Sequence, residues 1–150
     1  MWGKKKTVVV SGGLDPIHCG HIRLIQEAAT YGKLYVIINN DNWLYKKKGF
    51  VFMPEEERLE VVSAIKGVSF AMLSFHDKEC KDMTVCKELE FLHPDIFCQG
   101  GDRTIENNPE KDLCERLGIK VIYNVGGVKV QSSSWLVEKA GGACRKVIEL

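Results

Sequence analysis

Short apolar runs alternate with amphipathic segments along this chain, and that alternation limits the folds open to it. Apolar runs typical of buried strands lie near residues 7–11, 34–39, 68–73, 96–99 and 121–124. Segments with helical periodicity lie near residues 19–31, 54–66, 83–92, 109–117 and 133–140. Strands that alternate with helices form βαβ units, whose right-handed crossovers give parallel sheets. We therefore expect a single Rossmann-like α/β domain over residues 1–150, a five-stranded parallel sheet with helices on both faces.

The composition is that of an ordinary soluble domain. Of the 150 residues, 45% are hydrophobic and 27% are charged, which is enough for a substantial core. The formal net charge of +1 excludes a broad electrostatic footprint for nucleic acid or an anionic membrane. No apolar stretch approaches the roughly 20 residues that span a bilayer, and the lysine-rich start lacks the apolar stretch of a secretory signal. We expect a cytoplasmic protein with neither nucleic-acid nor membrane partners.

The cysteines are scattered along the chain without a C-x-x-C pair or a zinc-like spacing. We expect them to be reduced and to serve mostly as packing residues, with Cys19 the most exposed. They are Cys19, Cys80, Cys86, Cys98, Cys114 and Cys144. The cysteine pattern therefore predicts no metal site.

A segment rich in glycine and histidine, residues 12–21, joins the first predicted strand to the first predicted helix. Glycines at such a junction let the backbone turn sharply and approach a ligand closely, because no Cβ is in the way. The helix aims its N–H groups and its positive dipole end at the turn, where an anion fits. His18 and His21 are three residues apart, so both can reach one phosphate, and Gly20 keeps the approach clear. Imidazole can donate to a phosphoryl oxygen whether neutral or charged.

Two further segments belong at the same edge of the sheet, because each follows a strand and ligands bind outside the carboxyl ends of parallel strands. The loop 39–53 carries a lysine run and precedes a helix on whose exposed side we expect Arg58. The turn 100–103 follows the fourth strand with two glycines, an aspartate and an arginine. Residues 132–134 are three serines at the start of the last helix, where hydroxyl and N–H groups suit a phosphate.

Each of these signals also has a plainer interpretation. Two histidines three residues apart also occur as a metal half-site or as plain helix surface, and a lysine run is usually a solvated face. The glycine–aspartate turn can be a tight connection with a capping aspartate, and serines cap helices without any ligand. A lysine at a helix end, such as Lys66, is also ordinary capping. None of the segments is decisive alone.

Taken in order along the chain, the four segments resemble the HxGH nucleotidyltransferase superfamily, which includes cytidylyltransferases and adenylyltransferases. The pattern G-G-x-D-P-x-H-x-G-H is similar to its signature, with Gly13 where these enzymes usually carry Thr or Ser, and Leu14 where they carry Phe. The spacing from Asp41 to Arg58 resembles that of glycerol-3-phosphate cytidylyltransferases. The turn after the fourth strand is more similar to that of heptose-1-phosphate adenylyltransferases.

The resemblance implies a role for each of these residues. It implies catalytic phosphate contacts for His18, His21, Lys47 and Arg58. It implies nucleotide binding by Gly12, Gly13, Leu14, Asp15, Gly20, Lys48, Gly101, Asp102, Arg103, Ser132, Ser133 and Ser134. Lys66 falls where the glycerol-3-phosphate enzymes bind their acceptor. Of the two neighbouring lysines, the spacing from Asp41 favours Lys47, with Lys48 close behind.

The implied reaction transfers a nucleoside monophosphate from CTP or ATP to a small phosphorylated molecule and releases pyrophosphate. The acceptor would be a sugar phosphate or a polyol phosphate such as glycerol 3-phosphate. The resemblance also implies Mg²⁺ as a cofactor, and a homodimer is compatible with it. Two alternatives stay open. One is a non-catalytic nucleotide sensor on the same fold, and the other is a metal-binding protein that uses His18, His21 and Cys19 with Asp15 or His76.

Overall fold

The computed structural model describes residues 3–148, and the side chains of residues 3–142. Over this range the chain forms β1 (Thr7–Gly12), α1 (Cys19–Ala28), β2 (Lys33–Ile38), α2 (Asp41–Lys48), α3 (Glu55–Ser63), β3 (Val68–Leu73), α4 (Cys86–Leu92), β4 (Ile96–Cys98), α5 (Lys111–Leu117), β5 (Lys120–Ile122) and α6 (Ser133–Ile148). None of these helices is long and apolar enough to cross a bilayer.

The strands form one parallel sheet in the order β3-β2-β1-β4-β5. The chain moves outward from β1 to β3 and then crosses back to place β4 on the other side of β1. The strand order therefore reverses between β1 and β4, and the carboxyl ends of these two strands flank the crevice where such sheets bind ligands. The predicted five-stranded Rossmann-like sheet is confirmed.

Two hydrophobic clusters cover the two faces of this sheet. Successive residues of a strand point to opposite faces, so Val8 and Val10 lie in one cluster and Val9 lies in the other. The first cluster packs α1 and α3 against the sheet, and the second packs α4 and α5 against the opposite face. The prediction of helices on both faces is therefore confirmed.

The segment 39–53, which we expected to be a loop, contains the helix α2. Its first turn is capped by Asn40, whose side-chain oxygen accepts a hydrogen bond from the Trp43 amide at 3.0 Å. Gly49 ends it in a left-handed conformation with φ of 83°. Asp41 in the first turn and three lysines in the last turn both complement the helix dipole. These short-range signals outweigh the weak amphipathicity of the segment, which is why the sequence pattern missed the helix.

The cysteines are distributed as their sequence pattern predicted. Cys98 and Cys114 are buried in the core, Cys19 is exposed, and Cys80 and Cys86 are partly exposed. Burial raises the pKa of Cys98 to about 12 and that of Cys114 to about 11, so neither is a nucleophile at neutral pH. The side chain of Cys144 lies outside the described residues.

Candidate active site

A cavity of about 270 Å³ opens at the carboxyl edge of the sheet. It lies beside the strand-order reversal and is closed on one side by the start of α6. Its lining consists of His18, Gly20, His21, Leu24, Lys48, residues 100–102 and residues 125–134. The cavity thus brings together residues from all four segments that the sequence had singled out.

His18 and His21 fix each other through the backbone at the start of α1. His18 is the N-cap of α1, and its Nδ1 accepts a hydrogen bond from the Gly20 amide at 3.0 Å. The Nδ1 of His21 accepts in turn from the His18 amide at 3.2 Å. The two rings stack with their centroids 3.8 Å apart. An acceptor Nδ1 carries no proton, so each neutral ring carries its proton on Nε2.

Both imidazoles are held in the neutral form. The pKa of His21 is lowered to about 3, chiefly by burial and also by the neighbouring His18 and Lys48. Burial and the charge of Lys129 lower the pKa of His18. No acceptor within the described residues takes the Nε2–H of either ring. The pair therefore offers two neutral N–H donors at the cavity.

This arrangement corrects one expectation from the sequence. We expected the amide N–H groups at the start of α1 to face the anion directly. The Gly20 amide instead donates to His18, and the His21 amide donates to the His18 carbonyl at 3.0 Å. The imidazoles thus bind the amides of His18 and Gly20 and leave their own Nε2–H groups free to donate.

Two glycines allow these surfaces to come close together. A Cβ on Gly20 would lie 2.8 Å from Cε1 of His18, so another residue there would displace the ring. A Cβ on Gly101 would lie 2.7 Å from the Gly127 carbonyl oxygen. Gly20 therefore protects the histidine pair, and Gly101 lets the turn after β4 pack against the segment after β5.

Of the two candidate lysines, Lys48 lines the cavity and Lys47 does not. Lys48 is the last residue of α2, and its charge contributes to the lowered pKa of His21. Lys47 is exposed. The structure thus reverses the order that the spacing from Asp41 had favoured, because in a helix neighbouring side chains point about 100° apart.

Arg58 lies in the interior, and the expectation that it faces solvent is wrong. Only 1% of the residue is exposed. Its guanidinium donates to the carbonyl oxygens of Met53 at 2.8 Å, Gly13 at 2.7 Å and Asn39 at 2.5 Å. It also pairs with the Asp41 carboxylate at 2.7 Å. Arg58 therefore ties the turn after β1 to the end of β2, to the start of α2 and to the segment before α3, and it does not line the cavity.

The turn after β1 lies behind the histidines and serves as their support. Both oxygens of the Asp15 carboxylate accept backbone hydrogen bonds, from Phe52 at 2.7 Å and from Met53 at 2.6 Å. A Cβ on Gly13 would lie 3.2 Å from the Leu44 side chain, so this glycine allows α2 to pack closely. The residues predicted here to bind the nucleotide, Gly12, Gly13, Leu14 and Asp15, are absent from the lining of the cavity.

The three serines at the start of α6 all line the cavity. The Ser132 hydroxyl accepts from the Trp135 amide at 3.3 Å and so caps the helix. The Ser133 hydroxyl donates to the Pro16 carbonyl at 2.8 Å, which ties α6 to the histidine segment. The amides of Ser133 and Ser134 find no acceptor within the part of the chain that the structure describes. The start of α6 thus offers N–H donors on the wall that faces the histidines.

The turn after β4 contributes an aspartate but not the predicted arginine. Asp102 lines the cavity, and its exposed carboxylate is the one acidic group among the described lining residues. Mg²⁺ in nucleotide sites is held by one or two carboxylates together with phosphate oxygens, so this donor set fits the ion. Arg103 donates to the Asn107 carbonyl at 3.0 Å and does not line the cavity.

Lys66 lies at the opposite edge of the sheet. It precedes the amino end of β3, whereas the histidines follow the carboxyl end of β1, and these strands run parallel. A strand of this length spans about 20 Å, so Lys66 cannot reach the cavity. The structure therefore contradicts the predicted acceptor contact.

The sequence reasoning missed the segment 125–131, which forms one whole wall of the cavity. It follows β5, carries Lys129, and includes Gly126 and Gly127 with φ of 85° and 80°. A Cβ on Gly126 would lie 2.7 Å from the Leu24 amide nitrogen, so this wall packs directly on α1. A glycine pair after a strand indicated a ligand site at residues 12–13, and the pair at residues 126–127 after β5 is the same signal.

A family model described as cytidylyltransferase-like matches residues 9–138. The chain belongs to the cytidylyltransferase-like family. This confirms the resemblance to the HxGH nucleotidyltransferases and, at the level of the family, the prediction of a nucleotidyltransferase. The matched range includes the histidine pair, Lys48, Asp102 and the start of α6.

Individual relatives support the same membership. FAD synthase of Ferroglobus placidus is 35% identical over 115 residues, which cover 77% of this chain and 72% of that protein. Bifunctional protein HldE of Citrifermentans bemidjiense is 31% identical over 140 residues, which cover 90% of this chain and 27% of that protein. This cytidylyltransferase-like chain thus matches only part of HldE. A crystal structure of a lipopolysaccharide core biosynthesis protein from Thermoplasma volcanium shares the fold, with a TM-score of 0.65 at 22% identity over 84% of this chain and 100% of that chain.

The metal-binding alternative finds no support in the geometry. Within the described side chains, no group of three or more His, Cys, Asp or Glu residues is arranged to hold a metal ion. Both oxygens of Asp15 accept backbone N–H groups, from Phe52 and Met53. The His76 ring contacts the Ser74 hydroxyl at 2.7 Å and the Thr84 carbonyl at 2.9 Å. Both residues that could have supplied the further ligand therefore already make hydrogen bonds elsewhere.

Proposed function

We propose that this protein transfers a nucleoside monophosphate from a nucleoside triphosphate to a small phosphorylated acceptor and releases pyrophosphate. One observation carries the proposal: two neutral imidazole donors, Lys48 and the start of α6 converge on a single cavity. Such a set of N–H donors and one ammonium group suits the phosphates of a nucleotide. The relative named FAD synthase makes an adenine dinucleotide, which favours ATP over CTP as the donor.

In the proposed reaction, an oxygen of the acceptor phosphate attacks the α-phosphorus of the triphosphate. The new P–O bond forms as the bond from the α-phosphorus to the bridging oxygen breaks, and the electron pair leaves with pyrophosphate. The nucleophile is already an anion at neutral pH, so the reaction needs neither a general base nor a covalent intermediate. The protein has to supply alignment and positive potential.

The described residues divide this task between them. The Nε2–H groups of His18 and His21 donate to the α-phosphoryl oxygens, where negative charge builds up. The amides of Ser133 and Ser134 hold the β- and γ-phosphates, and Lys48 contacts both the triphosphate and the phosphate of the acceptor. Mg²⁺, when bound, neutralises charge on the triphosphate, and Asp102 is the carboxylate that would hold it. Neutral imidazoles suit this role because they donate hydrogen bonds without losing a proton.

The test is a screen for pyrophosphate release with ATP, CTP, GTP and UTP against a panel of phosphorylated acceptors. The decisive variant is His21→Asn, whose side-chain oxygen can still accept from the His18 amide while the Nε2–H donor is lost. Removing one such donor lowers turnover by about a hundredfold. The matched control is His93→Asn, since His93 is exposed and its φ of 45° suits asparagine.

Two outcomes would contradict the proposal. Binding of a triphosphate without pyrophosphate release for any acceptor would identify a nucleotide sensor instead. Near-normal turnover in His21→Asn, with wild-type turnover in His93→Asn, would remove the histidine pair from the reaction. A loss of turnover in both variants would indicate a general effect of the substitution and would also remove the assignment.

A further inference from the structure

A second cavity, of about 330 Å³, adjoins the first. Lys48, Ser133 and Ser134 line both cavities, so these residues form a common boundary between them. A group bound at Lys48 from the second cavity would lie next to phosphates bound in the first. Transfer between two substrates needs such a shared boundary, because the attacking oxygen has to lie within contact distance of the phosphorus.

The remaining lining of the second cavity is mainly apolar. It includes the ring of Phe50 and the methyl groups of Val137, with the exposed carboxylate of Glu138 beside them. Asp15 also lines it but contributes little, because the residue is only 2% exposed and both of its oxygens bind backbone N–H groups. The second cavity therefore presents the ammonium group of Lys48 at the boundary, an apolar surface next to it, and the Glu138 carboxylate at the side.

Phe50 is presented on an anchored segment rather than in the core. It follows Gly49, which ends α2, and it precedes Phe52 and Met53, whose amides are bound by Asp15. The backbone is thus fixed on both sides of the ring, while 41% of Phe50 remains exposed. An exposed aromatic ring on a fixed backbone offers a flat contact surface at low conformational cost.

We propose that this second cavity is the acceptor subsite and that it takes a phosphorylated compound with a planar unsaturated ring. The proposal rests on the proposed function. The acceptor phosphate binds at Lys48, the ring packs on Phe50, and Glu138 accepts a hydrogen bond from an N–H or O–H group of the ring. A polyol phosphate fits this lining poorly, because its hydroxyl groups would be placed against apolar surface without partners.

The experiment measures binding of two probes, flavin mononucleotide and glycerol 3-phosphate, by calorimetry in the presence of a non-hydrolysable ATP analogue. We expect the wild-type protein to bind flavin mononucleotide more tightly than glycerol 3-phosphate. In Phe50→Ala the Kd for flavin mononucleotide should rise about tenfold, whereas Phe50→Tyr should stay within about twofold of the wild type. The KM for the triphosphate should not change in either variant, because Phe50 does not line the first cavity.

Phe52→Ala is the matched control. Phe52 is two residues away, 53% exposed, and outside the lining of the second cavity, and the substitution keeps its backbone bond to Asp15. An unchanged Kd for flavin mononucleotide in Phe50→Ala, or an equal rise in Phe52→Ala, would overturn the proposal. So would equal affinity of the wild type for the two probes.

The two proposals fail separately in these measurements. Pyrophosphate release with glycerol 3-phosphate, unaffected by Phe50→Ala, would keep the transferase and overturn the planar-ring subsite. Binding of flavin mononucleotide that depends on Phe50, without pyrophosphate release for any acceptor, would support the subsite and overturn the reaction.

Discussion

The two walls of the active-site cavity are built in different ways. The wall formed by the histidine segment and its supports, called here the motif wall, consists of residues 12–21 and 39–58. In it Arg58 and Asp15 together make six hydrogen bonds, and the rings of His18 and His21 accept from the amides of Gly20 and His18. The opposite wall, residues 125–131, is called here the loop wall. Val128 and Val130 in it are 78% and 42% exposed.

The loop wall is attached at few points. The Val125 amide donates to the Gln99 carbonyl at 3.0 Å, and the Gly126 amide donates to the Glu27 carboxylate at 3.1 Å. Farther along, Lys129 lies over the Trp135 ring, with its Nζ 5.0 Å from the ring centroid. Segments with few buried contacts and exposed backbone open at lower free energy than the core. In the proposed reaction the motif wall is therefore preorganised for the phosphates, whereas the loop wall can adjust to the bound nucleotide.

The largest expected effect comes from breaking the motif wall at Arg58. Arg58→Met would leave one buried and two part-buried carbonyl oxygens without their donor and Asp41 without its partner. Because the guanidinium is fully buried, we expect urea denaturation to show a loss of about 3 kcal/mol in the free energy of unfolding. Arg116→Met is the control, since the Arg116–Glu90 pair is exposed and its 3.5 Å contact contributes about 1 kcal/mol at most.

A particular result would reverse the assignment of Arg58. If Arg58→Met were as stable as the wild type but had lost turnover, the guanidinium would act on phosphate, as the sequence first indicated. The bonds of Arg58 would then not be what makes the motif wall more rigid than the loop wall.

A smaller effect is expected from the loop wall, where two neighbouring glycines separate packing from backbone strain. Gly126→Ala adds a Cβ 2.7 Å from the Leu24 amide nitrogen, whereas a Cβ on Gly127 meets nothing within 4 Å. Both residues have a left-handed backbone, so both substitutions carry similar strain. Displacing the wall should raise the KM for the triphosphate by about tenfold in Gly126→Ala and by less in Gly127→Ala. Equal KM values would show that contact with α1 does not set the position of the loop wall.

Much of the fold followed from the sequence because its signals are periodic. Buried strands of a parallel sheet appear as short apolar runs, and residues 7–11, 68–73 and 96–99 were found within one or two positions of β1, β3 and β4. The helix α2 was missed because its signals are local caps at Asn40 and Gly49, and its lysine run is typical of a loop.

Site residues were predictable where the motif itself reaches the ligand, and less so where burial decides the role. The histidine pair, Lys48, Asp102 and the three serines all line the cavity. Arg58 looked solvent-exposed because a charged side chain usually is, and only the meeting of four segments around it shows that it is buried. Lys66 was assigned to the acceptor because it falls at the position of a substrate-binding residue in similar enzymes. That match does not show at which edge of the sheet the preceding helix ends.

The smallest effect concerns pH and tests whether the imidazoles of the motif wall are neutral. An unfolded histidine has a pKa near 6.5, whereas burial holds that of folded His21 at about 3. Between these values the unfolded chain binds the proton and the folded protein does not, so stability falls as pH decreases below 6.5. From pH 7.5 to 5.5, urea denaturation should show about 1 kcal/mol more loss for the wild type than for His21→Asn. An equal loss in both, or an NMR titration of His21 near pH 6.5, would make the pair cationic in acid and would contradict its role as neutral donors.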